Sequence, residues 1–461
     1  MKVQFWGAVR NVTGTKHKLI VEEKNILLDC GLLQGPRRKT REQNLNFPFS
    51  PPTIHSVILS HSHIDHSGSL PTLVRMGFNG KIYSTFATKD LCTAVLRDSA
   101  HIQEKDAQWL RKKKKEAVEP IYTMEDAEAS LQHFIGVNYE QPFYLLKNVK
   151  CTFYDAGHIL GSAQPLIEVN ENGRSIKILF TGDIGKLNNK IILKPPQIVS
   201  DIDYLIVEST YGNRKQDTMT DAKDELMNVV NETISRKGKV IIPSFAVGRA
   251  QAVIFLLHKL FEENKIPNIP IYIDSPLTVN VTEIFRNHPE CLDKEVNEYF
   301  LNDEDPFGFG KLQYIRDVEK SKALNSMKDP CIIISASGMC EGGRILHHLK
   351  NNIEDERNAI LIVGYQAEGT LGRRIVERQP EVRIFGEFYK LKARVATINT
   401  LSAHADADNL IEYIGKVKTD RLKKIFVVHG EETQSLPFAE RIKQSYHIET
   451  IVPFEDEEFE L

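Results

Sequence analysis

At 461 residues the chain is long enough for two or three domains, or for one domain carrying a large insertion. Its 41% apolar and 26% charged content is that of a soluble globular protein, and a net charge of −3 excludes a globally basic nucleic-acid binder. Any nucleic-acid site must then be a local basic groove. The six cysteines are scattered without a C-x-x-C pair, which reads as reduced core thiols of a cytoplasmic protein. The N-terminus enters a strand pattern at once (Lys2 to Gly7), no signal peptide fits it, and no apolar run approaches membrane-spanning length.

The first ~200 residues alternate short apolar runs with turn chemistry. Lys24 to Leu28 reads as a strand ending in Asp29-Cys30-Gly31, and Ser56 to Leu59 as a strand running into Ser60-His61-Ser62-His63-Ile64-Asp65-His66-Ser67-Gly68. Leu70 to Met76 is a helix closed by Gly77, Lys81 to Thr85 a strand, and Thr88 is expected to cap a helix from Lys89 to about His101. The run Arg111 to Lys115 reads as a solvated helix face or loop rather than a phosphate-attracting rim. Val149 to Asp155 brings His158 to a strand end, Ile176 to Phe180 brings Asp183, and Asp203 to Val207 brings Glu208.

After Gly212 the texture changes to helices alternating with wholly apolar strands. Asp221 to Ser235 is an amphipathic helix closed by Gly238, and Arg249 to Phe261 is another. The strands are Val240 to Phe245, Ile269 to Pro276, Pro330 to Ser335 and Ala359 to Gly364. This is the pattern of a parallel sheet covered on both faces. Near Ala393 the first texture returns. Arg394 to Leu401 reads as a strand ending in Ser402-Ala403-His404-Ala405-Asp406, and Lys424 to Val428 as one ending in His429-Gly430-Glu431. The acidic tail from Glu455 is expected to fray.

Three of 15 histidines fall within six residues at His61, His63 and His66, which a merely polar surface turn does not require. Taken singly, a His or Asp after a strand is usually a turn former; the argument is the constellation. His61, His63, Asp65, His66, His158, Asp183 and His429 give seven donors suited to two Zn²⁺ roughly 3.5–4 Å apart. His61, His63 and His158 would hold one ion, Asp65, His66 and His429 the other, and Asp183 would bridge. Asp29 could orient a ligand imidazole, or be only a turn carboxylate before Gly31. Metal-activated hydroxide hydrolyses esters, amides or phosphodiesters, so the substrate must be read elsewhere. Three turns follow strands in the second region and combine small residues with hydroxyl, amide or Arg donors: Ser244 to Arg249, Ser337-Gly338 to Arg344, and Gln366 through Thr370 to Arg373. One such turn can be a mere connector, but three favour a polyanionic substrate.

The motif H-x-H-x-D-H resembles the signature of the metallo-β-lactamase fold. With Asp29, His158, Asp183, Glu-Ser-Thr-Tyr-Gly at Glu208, Ser-Ala-His-Ala-Asp at His404 and His-Gly-Glu at His429, nearly the whole chain resembles the β-CASP ribonucleases. It looks closest to prokaryotic relatives of the nuclease subunit of the cleavage and polyadenylation specificity factor. The resemblance implies an α/β protein: a metallo-β-lactamase αββα sandwich (residues 1–210 and 394–461) interrupted by an inserted β-CASP cap (211–393) with a mainly parallel sheet. It implies single-stranded RNA as substrate, entering between cap and core, with 5′-phosphate and 3′-hydroxyl products. His429 becomes the ligand, while His404, paired with Glu208, becomes the proton donor; Asp65 also counts as catalytic, and Ser402 joins the phosphate-contacting residues. Endonucleolytic action is preferred, with 5′-to-3′ exonucleolytic action and a homodimer left open.

One departure from relatives is Asn213-Arg214-Lys215-Gln216-Asp217 after Tyr211-Gly212; it removes no ligand. Neither a long C-terminal extension nor an N-terminal RNA-binding domain is apparent. A small ester or thioester hydrolase would not need the ~180-residue insertion, and a silent RNA-binding scaffold would be expected to have lost ligands.

Overall fold

The computed structural model describes residues 1–35, 37–114, 118–171, 173–187, 191–215, 220–302, 304–398 and 400–461. Lys115, Gln216 and Asp217 lie outside them. Two compact units emerge: residues 1–188, 195–215 and 404–461, and residues 189–194 and 216–403.

The first unit is built on two seven-stranded sheets. In spatial order, one holds Glu458–Glu460, Lys2–Gln4, His17–Val21, Lys24–Leu28, Ile54–Ile58, Lys81–Thr85 and Phe134–Val137. The other holds Glu449–Ile451, Lys424–Val428, Tyr204–Glu208, Arg174–Phe180, Ala163–Glu171, Val149–Asp155 and Phe143–Leu146. Period-two alternation sends Phe5, Leu19, Val21, Ile26 and Leu28 of the first sheet against Phe153, Ile167, Ile178, Phe180 and Phe426 of the second. The outward sets, Leu27, Val57 and Leu59 on one side and Leu205, Ile425 and Val427 on the other, are covered by helices. The layering is helix, sheet, sheet, helix, and burying each such side chain stabilises by roughly 1.5–3 kcal/mol.

The second unit has a six-stranded sheet in the order Leu312–Tyr314, Ile271–Ile273, Ile332–Ser335, Val240–Pro243, Ala359–Ile362 and Arg394–Thr397. Every pairing is parallel, and four of its strands, Val240–Pro243, Ile271–Ile273, Ile332–Ser335 and Ala359–Ile362, are buried at each position. That explains their unbroken apolar runs.

Four expectations are corrected. Arg394–Thr397 pairs with Ala359–Ile362, so the return to the first unit begins at His404 rather than at residue 394. Residues 191–194 leave the first segment for the second unit, where Leu193 bridges Leu292. The helix expected from Lys89 to His101 runs from Phe86 to Lys114; Thr85 Oγ1 accepts the Thr88 N–H at 3.1 Å, while the Thr88 hydroxyl donates to Gly161 O. The acidic tail does not fray: Glu458–Glu460 pairs antiparallel with Lys2–Gln4, and Phe459 packs on Phe426 at 5.0 Å. All six cysteines are free and buried. No helix among the described residues is long and apolar enough to cross a membrane.

Candidate metal centre

The donors stand on loops that leave strand ends in both sheets of the first unit. After Ile54–Ile58 the chain turns through His61 and His63 into a short helical turn, Ile64–Ser67, which carries Asp65 and His66. That turn is clamped from below: a Cβ on Gly31 would lie 1.6 Å from Asp65 O, so only glycine fits there. His429 and Asp29 both follow strands with left-handed backbones, φ 51° and 61°. For residues other than glycine this is uncommon, and such backbones concentrate at functional sites.

Two constellations result. His61 Nε2, His63 Nδ1 and His158 Nε2 lie 3.1 and 3.3 Å apart in sequence, and Asp183 Oδ2 is 3.5 Å from His61 Nε2 and 3.6 Å from His158 Nε2. Four ligands on a tetrahedral ion with bonds of about 2.0–2.1 Å are separated by about 3.3 Å, so these spacings fit one. His66 Nε2 is 3.1 Å from His429 Nε2, and Asp65 Oδ2 is 3.7 Å from the latter. Asp183 Oδ1 turns to this second set, 3.4 Å from His66 Nε2 and 3.4 Å from His429 Nδ1, and has hydrogen-bond geometry to neither. One buried carboxylate thus places one oxygen beside His61 and His158 and the other beside His66, and meets His429 at Nδ1 rather than at the Nε2 that faces His66 and Asp65.

Behind three of the ligand rings, His66, His61 and His429, a partner stands at the second nitrogen, whereas His158 Nδ1 is buried without one. His66 Nδ1–H donates to Asp29 Oδ2 at 2.7 Å, leaving Nε2 with its lone pair toward the site. Asp29 also accepts from the Ser60 N–H and hydroxyl at 2.6 and 2.7 Å, and Ser60 Oγ lies 3.0 Å from His61 Nδ1. Asp29 therefore fixes His66 directly and His61 through Ser60. Thr210 Oγ1 sits 3.1 Å from His429 Nδ1. Burial holds His61 and His158 well below the usual imidazole range and His63 at about 4, so these rings are neutral donors. Burial would lower His66 too, but Asp183 and Asp29 outweigh it and raise the ring.

A third set joins Asp183, Glu208 and His404. His404 Nδ1 is 3.2 Å from both Glu208 oxygens, and 4.0 Å from Asp183 Oδ2. Glu208 is fully buried and held by the N–H groups of Ile184 at 2.6 Å and Thr210 at 3.3 Å. Burial alone would depress His404; Glu208, Asp183 and Asp65 outweigh it and raise the imidazole to about 9.

Ser60 and Thr210 escaped the sequence reading, although each is a hydroxyl close in the chain to a residue it did select. After Tyr211-Gly212, Asn213 N donates to Gln434 Oε1 at 3.2 Å and Lys215 pairs with Asp408 at 2.8 Å, so these two described residues of the departure make local anchoring contacts.

The phosphate-contact expectations of the second unit fare differently, because their side chains serve their own loops. The Arg344 guanidinium bonds Asp274 Oδ1 at 2.6 Å, Ile315 O at 3.3 Å and Arg316 O at 2.7 Å. It is already neutralised and anchored. Gln366 donates to Gly338 O and Gly364 O, joining two of the glycine turns. Ser337 Oγ accepts from Glu341 and Gly342, and Ser244 Oγ donates to Phe245 O. Thr370 caps the helix Leu371–Val376, and Arg373 pairs with Glu377 at 2.6 Å. Arg249 opens the helix Arg249–Glu262, and Ser402 is buried near the end of the unit.

Sequence comparison agrees with this architecture. Residues 19–194 match the metallo-beta-lactamase superfamily domain, 250–375 the Beta-Casp domain, and 389–453 the Zn-dependent metallo-hydrolase RNA specificity domain. The chain is 35% identical to "Ribonuclease TTHA0252" of Thermus thermophilus, over 95% of this chain and 94% of that protein. It is 34% identical to "Transcription termination factor FttA" of Methanocaldococcus jannaschii over 98% of this chain and 70% of that one. It is 32% identical to an "RNase J-like protein" of the same organism over 98% and 97%. A solved protein of unknown function from Enterococcus faecalis shares the fold at a TM-score of 0.57 and 14% identity, over 99% of both chains. With three family domains in order along one chain, and relatives alike over nearly its full length, the chain belongs to the β-CASP group of metallo-β-lactamase-fold nucleases.

Proposed function

We propose that this chain is a zinc-dependent ribonuclease that hydrolyses phosphodiesters of single-stranded RNA, leaving 5′-phosphate and 3′-hydroxyl ends. The observation that carries the reading is Asp183, whose two oxygens face two separate donor sets. His61, His63 and His158 would hold one Zn²⁺, Asp65, His66 and His429 a second, and Asp183 both. Nitrogen and carboxylate donors in these numbers suit zinc. Bound zinc would supply Lewis acidity, lowering the pKa of water at the site toward neutrality and offsetting phosphate charge.

The chain's own residues do the rest. Asp29, Ser60 and Thr210 fix the ligand rings so that their lone pairs converge. Water attacks phosphorus in line with the departing 3′ oxygen, which is a poor leaving group without a proton. Glu208 holds His404 at Nδ1 and favours the protonated ring, so Nε2 can deliver that proton. The relatives named as ribonucleases support RNA as substrate, and the full complement of donors speaks against a silent scaffold. Internal cleavage is the preferred mode, with 5′-to-3′ action as the alternative. Digestion of one RNA labelled separately at each end, in 5′-hydroxyl and 5′-phosphate forms, separates the two.

The test of the mechanism is His404→Ala. It should retain two Zn²⁺ by metal analysis and lose about 10²–10⁴-fold of RNA cleavage. It should lose far less activity on bis-p-nitrophenyl phosphate, whose leaving group needs no proton. Loss of an ion, or equal damage to both substrates with metal intact, overturns the general-acid role.

A further inference from the structure

In the second unit, Glu381–Ile384 and Glu387–Lys390 form a two-stranded antiparallel hairpin. Ile384 pairs with Glu387, which leaves Phe385-Gly386 as a two-residue loop. Both loop residues have positive φ, 51° and 90°. Such a turn favours Asn-Gly, because a left-handed backbone crowds Cβ against the carbonyl of any larger side chain. Here the first position holds phenylalanine, and its ring is 52% exposed. Phe388, one residue past the turn, is 69% exposed. Neither the disfavoured backbone nor the exposed apolar surface is offset by burial.

The hairpin is nonetheless firmly seated. Val382 and Ile384 are 1% exposed and belong to the core of their unit. Period-two alternation then turns Arg383, Phe388 and Lys390 to the opposite face. Arg383 lies directly across from Phe388, its guanidinium 5.9 Å from the ring centroid. The His347 ring lies 4.7 Å from that of Phe385. Residues 373–394 carry seven Lys or Arg against three Glu, in a chain whose net charge is −3. Arg373 and Arg394 are spent on Glu377 and Glu232, and Glu381 lies across from Lys390, but Arg383 meets only a backbone carbonyl through Nε beside the exposed Phe388 ring. An exposed ring flanked by Arg383 and Lys390 matches a strand of stackable bases joined by phosphates.

We propose that this hairpin is a stacking platform for single-stranded RNA: Phe388 and Phe385 receive bases, while Arg383 and Lys390 receive phosphates. The proposal rests on the ribonuclease reading above, and adds to it a contact lying outside the donor sets.

The test measures equilibrium binding of the full chain to a long, unstructured RNA whose 2′-O-methyl groups slow cleavage, alongside thermal unfolding. Phe388→Ala should weaken binding about tenfold, and Phe388→Trp should retain it. Phe385→Asn is the sharper variant: it suits the turn, so it should raise the melting temperature while lowering affinity. RNA bearing 5-bromouridine should photo-crosslink to the hairpin, as read by peptide mass spectrometry. Binding by the wild type that is unchanged in both Phe388→Ala and Phe385→Asn overturns the platform and leaves the ribonuclease reading intact. Absence of binding and cleavage of RNA by the wild type overturns both. If Phe388→Ala converts a dimer to a monomer in sedimentation at unaltered RNA affinity, the face is covered by a second copy and the proposal is wrong.

Discussion

Each unit buries a cluster of Asp and His, and the two clusters differ in their supply of protons. In the second unit Asp274 is fully buried, accepting from Arg344 Nη1 at 2.6 Å, the Ser321 hydroxyl at 2.6 Å and His348 Nε2 at 2.7 Å. A guanidinium, a hydroxyl and an imidazole N–H answer one carboxylate, so its charge is met, although His348 Nδ1 stays buried without a partner. In the first unit five imidazoles and two carboxylates converge, and the ring protons that are accounted for point away from the centre. The same residue types thus make a closed structural knot in one place and an open demand for cations in the other; the count of donors against acceptors separates them.

Breaking the open cluster should have the largest effect. Asp183→Ala removes the oxygen from both donor sets, so bound zinc should fall and hydrolysis of both RNA and bis-p-nitrophenyl phosphate should drop to background. Retention of two ions with normal activity would mean that the convergence around Asp183 is not a metal site. Metal analysis beside both assays decides it.

Breaking the closed cluster should cost stability instead. Asp274→Ala leaves His348 and Arg344 without their acceptor and should cost about 3–5 kcal/mol in urea unfolding of the full chain, without loss of bound zinc. Burial would raise the Asp274 carboxyl, but His348, Ser321 and Arg344 outweigh it and hold it below the usual range. Its contribution is therefore present above the unfolded carboxyl value of about 3.9 and is lost as pH falls from there toward the lower folded value. Unfolding followed across that acid range should show wild type losing the advantage it holds over Asp274→Asn at neutral pH.

Weakening the link behind the ligands gives the smallest effect. Ser60→Ala removes the hydroxyl between His61 and Asp29, and should lower zinc affinity about 10–100-fold in a competition titration with a chelator, leaving the fold intact. An unchanged affinity would show that packing alone orients His61.

Much of this was legible from the residues. The strand ends carrying His61, His63, Asp65, His66, His158, Asp183 and His429 could be read because a turn rich in ligand side chains after an apolar run is a local pattern. The parallel sheet of the second unit was legible for the same reason: strands buried on both faces are apolar throughout. Boundaries were less so. Arg394–Thr397 carries the sequence texture of either unit, and only its pairing partner assigns it. The acidic tail looked unstructured because its partner, Lys2–Gln4, is at the other end of the chain, where Lys2 meets Glu458 at 2.8 Å.

The sequence by itself determined the inventory: which donors exist, that they follow strands, and that a parallel α/β region interrupts them. Tertiary structure decided the assignments. Arg344, which in sequence is a guanidinium beside a glycine turn, is bound by an Asp274 that lies 70 residues earlier. Asp183 divides its oxygens between His61 and His158 on one side and His66 and His429 on the other, residues spread over most of the chain. Spacing along a chain fixes periodicity and local turns. Which buried acceptor meets which donor depends on how sheets and helices pack, and no local pattern carries that information.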